Sequence, residues 1–147
     1  VTGLNGWNEG GRPGLADGGI QRLRYTGKPS RMITNCRVGA GVLHLEFNTP
    51  LDQASAEDVD SYSIEQWNYR WTAGYGSRNY HPETGEVGTQ FAPVTAAKLS
   101  PDGRSVALTV PYLQPVHQLH LRIKTAAADG RPFEEEIYWT IHNLPEQ

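Results

Sequence analysis

The sequence is short of the features that staple, anchor or charge a small protein. Its 147 residues include one cysteine, Cys36, and one methionine, Met32. A single thiol excludes an internal disulfide, a four-cysteine zinc ribbon and a covalent c-type haem attachment, which needs two cysteines just before a histidine. No apolar run approaches the roughly 20 residues that cross a bilayer as a helix, so no membrane span is expected. The net charge of −3 comes without a basic cluster. Phosphate neutralisation is therefore a poor basis for binding, and no nucleic-acid partner is expected. Neither an initiator methionine nor a signal-peptide pattern stands at Val1, which leads us to expect a processed piece of something larger. Leu, Ile, Val and Phe supply only 30 residues, close to the level at which chains stay disordered. The 14 aromatics and the small net charge bring the chain back to the globular side.

Punctuation, in contrast, is abundant. Sixteen glycines and ten prolines leave room only for short elements joined by tight turns, which argues against a helical bundle. The clearest periodicity has period two. Leu43, Leu45 and Phe47 share one face of Val42–Phe47, and Val106, Leu108 and Val110 share another. Leu119, Leu121 and Ile123 alternate with His120, Arg122 and Lys124, while Ile137, Trp139 and Ile141 alternate with Tyr138, Thr140 and His142. Strands with one apolar face each need a second layer to cover them. The expected fold is all-β: an immunoglobulin/fibronectin-III-like antiparallel β-sandwich with a Gly-rich N-terminal extension. Ser100-Pro101-Asp102-Gly103 and Asp129-Gly130 have the chemistry of hairpin turns. Pro50 should end the Phe47 strand. Asp52 or Ser55 should cap a single helical turn within residues 52–59.

Two stretches lack this patterning. Residues 1–30 hold seven glycines in their first 19 positions (Gly3, Gly6, Gly10, Gly11, Gly14, Gly18 and Gly19), with one strand-like run, Ile20–Tyr25. They are read as a separate N-terminal segment, with the sandwich over residues 31–147. Thr72–Pro93 shows no periodicity, and a loop that long is usually functional or disordered.

The stretch from Val42 to Phe133 carries a recognisable order of features: "EFNTPLD", a short helix followed by "YSI", then "KLSPDGRSVALTV" and "AADGRPF". Carried by Phe47, Pro50, Leu51, Asp52, Tyr62, Ile64, Leu99, Asp102, Gly103, Val106, Leu108, Asp129 and Gly130, it resembles the bacterial immunoglobulin-like (SbsA-type) β-sandwich domains of large secreted proteins. "GLNGW", "DGGIQRLRYTGKP" and "SIEQWNYRWTAGYGS" are similar to the region that follows the β-propeller in secreted sorbosone/glucose-dehydrogenase-like proteins with cytochrome c modules. The resemblance implies a secreted or periplasmic setting. It also implies a non-catalytic accessory module packed against a neighbouring propeller or redox domain of the same protein, and it brings no catalytic residues with it.

Trp67, Tyr69 and Trp71 stand at i, i+2 and i+4, on one face of a regular strand and opposite in parity to Tyr62 and Ile64. Tyr75, Tyr80 and His81 would extend this row. An exposed row of rings suits a sugar, whose C–H faces stack on indoles, so polysaccharide is the alternative partner. A β-bulge near Glu65–Gln66, or a cover from the N-terminal segment or another domain, would instead bury the rings. His44, His120 and His142 fall on outward faces and would hold a metal only if two strands brought them together. Solvated sheet-face histidines, with no metal site, are the expectation. The carboxylates at Asp52, Glu57, Asp58 and Asp60 suit caps, and those at Glu134–Glu136 a charged strand edge. No nucleophile elbow, phosphate loop or dinucleotide fingerprint is present, and Cys36 is expected to be buried and inert in a strand over Met32–Val38. Neither a catalytic residue nor a cofactor is expected.

Overall fold

In the computed structural model, residues 2–4, 12–14, 18–20, 22–28 and 30–145 are described. The chain divides into two compact units, Val1–Ser30 and Arg31–Gln147. In the first unit, β1 (Thr2–Leu4) pairs antiparallel with β2 (Gly18–Ile20), placing Thr2 opposite Ile20. The expected strand over Ile20–Tyr25 is not there: β2 stops at Ile20, and residues 22–28 carry no regular structure. Leu23 and Tyr25 are exposed, so no buried face rewards alternation in this run. Gly6, Gly10 and Gly11, and with them much of the "GLNGW" motif, lie outside the described residues.

The second unit is all-β apart from two short turns of helix. Its strands are β3 (Ile33–Gly39), β4 (Val42–Phe47), β5 (Tyr62–Trp67), β6 (Gln90–Phe91), β7 (Ala96–Leu99), β8 (Ser105–Thr109), β9 (Val116–Ala126) and β10 (Pro132–Ile141). They form two antiparallel four-stranded sheets, ordered β3-β4-β8-β7 and β10-β9-β5-β6. The alternation seen in the sequence is the burial pattern of these strands. Leu43, Leu45, Val106 and Leu108 of the first sheet enter one core with Tyr62, Ile64, Leu119, Leu121 and Ile123 of the second. Phe47 meets Phe133 edge-on across that core, with ring centroids 5.4 Å apart. The result is a β-sandwich, with two half-polar sheets burying their apolar sides against each other.

Turn chemistry sets the connections. Gly103 takes φ +70° and donates its N–H to the Ser100 carbonyl at 2.9 Å, closing the β7–β8 hairpin. Pro50 sits 3.3 Å from where a Cβ on Gly103 would be, so glycine suits this position on both counts. The chain crosses between the sheets through α1 (Gln53–Ala56) and a 3-10 turn (Val59–Ser61). Asp52 caps α1, its Oδ2 accepting the Ser55 N–H at 2.9 Å. Asp58 caps the 3-10 turn through Oδ1 and the Asp60 N–H at 3.0 Å. Glu57 Oε1 accepts the Leu99 N–H at 3.2 Å, and Glu135 Oε2 accepts the Ile33 N–H at 3.0 Å. Cys36, half-buried on β3, packs against the core, and burial pushes its thiol up to about 11.

A ring belt on one sheet face and an exposed loop tip

The expected row of rings is divided between two places. β5 runs regularly against β9, with Tyr62 opposite Ile123 and Trp67 opposite Gln118, and no bulge interrupts the pairing. Trp67 therefore does point to the outer side of its sheet, as its parity requires, yet it is only 7 % exposed. The strand ends there, so Tyr69 and Trp71 do not continue it. The flat exposed row is corrected to a covered indole on the sheet and separate rings beyond it.

The cover over Trp67 consists of its neighbours. Its ring meets Tyr69 edge-to-face, with centroids 6.5 Å apart, and meets His120 in the same way at 6.5 Å. Tyr69 stacks on His117 at 6.2 Å, and His120 stacks on Tyr138 at 4.0 Å. Five rings thus form a belt, His117–Tyr69–Trp67–His120–Tyr138, across β9, β5 and β10. Sequence parity puts His117 and His120 on opposite faces. The structure brings both into the belt because β9 spans four residues, Val116 to Leu119, where β10 spans three, Trp139 to Ile141. That bulge has no marker in the sequence, and neither His117 nor Tyr138 is legible there as a member of the belt.

Hydrogen bonds fix the belt from both ends. His117 Nδ1 accepts the Tyr69 N–H at 2.9 Å, and Asn68 Oδ1 accepts the His117 N–H at 2.9 Å. Glu136 Oε2 accepts from the Tyr138 hydroxyl at 3.2 Å and lies 3.2 Å from His120 Nε2, while Arg122 Nε lies 3.5 Å from Glu136 Oε1. The Tyr138 hydrogen bond, followed by the His120 ring, holds the Glu136 carboxyl below its ordinary range. Desolvation, followed by the bond to Glu136, raises the Tyr138 hydroxyl. His120 is 3 % exposed; the expectation of a solvated imidazole fails there because Trp67 and Tyr138 flank it. His44, on the first sheet, and His142, beyond β10, are exposed. Among the described residues no three His, Cys, Asp or Glu side chains converge as a metal site would require.

The loop after β5 is built rather than loose, although its sequence carries no periodicity. Asn68 and Tyr80 exchange backbone hydrogen bonds of 2.8 and 2.9 Å, so residues 69–79 leave and return at one point. Such a closed, self-packed excursion is an Ω-type arrangement. The His81–Glu86 turn forms its other limb. His81 Nδ1 accepts the Glu83 and Thr84 N–H groups at 3.2 and 3.3 Å, so this residue serves the turn. A buried amide relay ties the limb to the sandwich. Gln66 Nε2 donates to Gln90 Oε1 and to the Tyr112 carbonyl, both at 2.7 Å, and Gln90 Nε2 donates to Glu83 Oε1 at 2.8 Å.

At the tip, the Arg70 guanidinium lies 4.2 Å over the Tyr80 ring and donates to the Gly85 carbonyl at 2.6 Å. The Thr72 hydroxyl reaches the Gly76 carbonyl at 3.0 Å, and the Arg70 N–H reaches Ser77 Oγ at 3.0 Å. Trp71 is 100 % exposed and Tyr75 fully so. An open cleft of about 410 Å³ lies at Tyr75, lined also by Thr72, Ser77, Arg78 and Tyr80 with two glycines, and Trp71 immediately precedes its first lining residue in the chain. Of the six candidate residues, Trp67 and Tyr69 belong to the belt, Trp71, Tyr75 and Tyr80 to the tip, and His81 to the turn behind it.

No protein-family model matches the chain, and comparison with curated proteins gives no match. Among solved structures it is similar to domains 1–6 of the surface-layer protein SbsC, with a TM-score of 0.53 and 12 % identity over 78 % of this chain. The likeness spans 14 % of the SbsC chain. A second S-layer structure, rSbsC(31–844), gives a TM-score of 0.45 at 16 % identity, over 71 % of this chain and 12 % of that one. CopC from Methylosinus trichosporium OB3b gives 0.42 at 13 % identity, over 80 % of this chain and 99 % of that one. Identities this low concern the fold alone. The sugar-dehydrogenase setting implied by the sequence motifs finds no support among these neighbours.

Proposed function

We propose that this chain is a non-catalytic, immunoglobulin-like accessory module of an exported multidomain protein, which packs against or positions a neighbouring domain through the outer face of its second sheet. The observation that carries this reading is the composition of that face. Phe91, Tyr138 and Tyr69 show 60, 53 and 40 % of their surface around the covered Trp67 and His120. Among the described residues no Phe, Tyr or Trp stands on the outer side of the first sheet, where Arg37, His44, Lys98 and Thr109 are exposed. Half-exposed rings seated on a rigid strand framework make good contact anchors: they bring area at low entropic cost. The modular setting is favoured by the SbsC likeness, in which a chain of this size matches a small part of a protein described by its domains 1–6. Secretion or a periplasmic location is favoured by the resemblance to secreted immunoglobulin-like domains.

Hydroxyl-radical footprinting tests the reading directly, comparing this chain alone with the longest natural product that contains it. Tyr138 and Phe91 are expected to lose most of their labelling in the longer product while His44 keeps its own. Equal labelling of Tyr138 and Phe91 in both forms would remove the face from consideration.

A further inference from the structure

The loop tip carries a second surface, distinct from the sheet face, and its chemistry points to a different ligand. Between Trp67 and Glu83 the chain has no Asp or Glu, yet it has Arg70 and Arg78 within a protein of net charge −3. The residues from Asn68 to Tyr80 are Asn, Tyr, Arg, Trp, Thr, Ala, Gly and Ser, the vocabulary of paratopes: rigid rings for area, small polar groups for adaptable hydrogen bonds. Arg70 is committed to Tyr80 and Gly85. Arg78 is exposed at the cleft; its carbonyl accepts from the Ser77 hydroxyl at 2.8 Å, while its guanidinium makes no hydrogen bond or ion pair among the described residues. The cleft's volume lies in the range of small-ligand sites. The closed base at Asn68–Tyr80 and the amide relay behind it hold the tip in shape before binding, which lowers the ordering cost.

We propose that this tip binds an acidic polysaccharide. Sugar rings stack their C–H faces on Trp71 and Tyr75, and Arg78 takes a carboxylate of the same chain. The negative face of an indole or phenol attracts the electropositive C–H edge of a pyranose. A guanidinium is suited to a carboxylate by shape as well as charge. The remaining classes of polyanion fit less well. A nucleic acid would call for several basic groups along its phosphates, and among the described residues of the tip only the Arg78 guanidinium is free. An anionic membrane would call for a contiguous apolar surface around the rings, where Thr72, Ala73, Gly74, Gly76 and Ser77 stand instead. The net negative charge of the whole protein also opposes non-specific attraction to polyanions, so any binding must be local.

The test is affinity electrophoresis of the full chain in gels containing polygalacturonate, alginate, neutral dextran or single-stranded DNA. Tryptophan fluorescence titration against the same polymers gives the affinities. Retardation by an acidic polysaccharide is expected. It should fall at least tenfold in Trp71→Ala and Tyr75→Ala and severalfold in Arg78→Gln, weaken in half-molar salt, and persist in Tyr138→Ala. Unchanged melting temperatures would show that the tip variants remain folded. The proposal is overturned if neither uronate retards the protein, if dextran or DNA does so equally, or if retardation survives Trp71→Ala. Because Tyr138 and Phe91 lie elsewhere, these results leave the sheet-face contact standing or falling on its own footprint.

Discussion

The two sheets share a core and present opposite exteriors. Outside the first, Arg37 pairs with Glu46, His44 is exposed, and Ala107 and Thr109 complete a small, polar surface. Outside the second, Trp67 and His120 are as buried as core residues, with the rings of Tyr69 and Tyr138 and the Glu136 carboxylate packed against them. A strand's outward positions are therefore not equivalent to solvent: a bulge and two tyrosines have turned one exterior into a packed layer. The lesson is that burial on an outer face marks structure, while the rings left standing above it mark contact.

The comparison breaks most visibly at its two mid-strand histidines. His120→Ala should cost about 2–3 kcal/mol, because it uncovers Trp67 and leaves Tyr138 without its stack. His44→Ala, at the matching exterior of the first sheet, should stay within about 0.5 kcal/mol. Urea unfolding of the two variants measures both. Tyr138→Ala, which removes one partner of the stack, should cost about 0.5–1.5 kcal/mol beyond the area it uncovers. A similar loss of about 1 kcal/mol is expected for Asp52→Ala, where the cap of α1 joins the sheets without touching either exterior. If Asp52→Ala proved costlier than His120→Ala, the belt would matter less to stability than the crossover.

Acidification sharpens the same contrast. Asp52, Asp102, Asp129 and Glu136 all have carboxyls held below their ordinary range. The leading causes are the Ser55 N–H at Asp52, the Ser100 hydroxyl at Asp102, the Arg131 N–H at Asp129 and the Tyr138 hydroxyl at Glu136. A lowered folded-state value means stability that is complete above the unfolded carboxylate range and lost as pH falls through the folded values. The urea midpoint should therefore drop on acidification through that range, and Glu136→Gln should remove one of the four contributions. The smallest expected effect concerns Cys36. With its thiol pushed up to about 11, alkylation by iodoacetamide at neutral pH should be much slower than for a free thiol, accelerating only in strong alkali.

What the sequence made legible follows the physics of alternation. Leu43, Leu45, Leu121 and Ile123 announce their own facing, since a period-two pattern has one solution when one side must be buried. Gly103 and Asp52 announce a turn and a cap because their backbone roles are local. The belt was not legible, because it depends on the extra residue in β9 that aligns His117 with Tyr69, and on β10 lying beside β9 so that Tyr138 reaches His120. The loop's order was hidden for the same reason. It rests on Asn68 meeting Tyr80 and on Gln66 meeting Gln90, pairings between residues too far apart to leave a periodic trace. Parity in the N-terminal run Ile20–Tyr25 misled because no face there is buried.

Within the candidate row, Trp67 is a locked indole and Trp71 a free one. Melting temperatures of Trp67→Ala and Trp71→Ala, measured side by side with the wild type, test this contrast most directly. Truncating a buried tryptophan costs about 3–5 kcal/mol, so Trp67→Ala should melt many degrees lower. Trp71→Ala should melt with the wild type. A large fall for Trp71→Ala, or none for Trp67→Ala, would contradict the division between belt and tip.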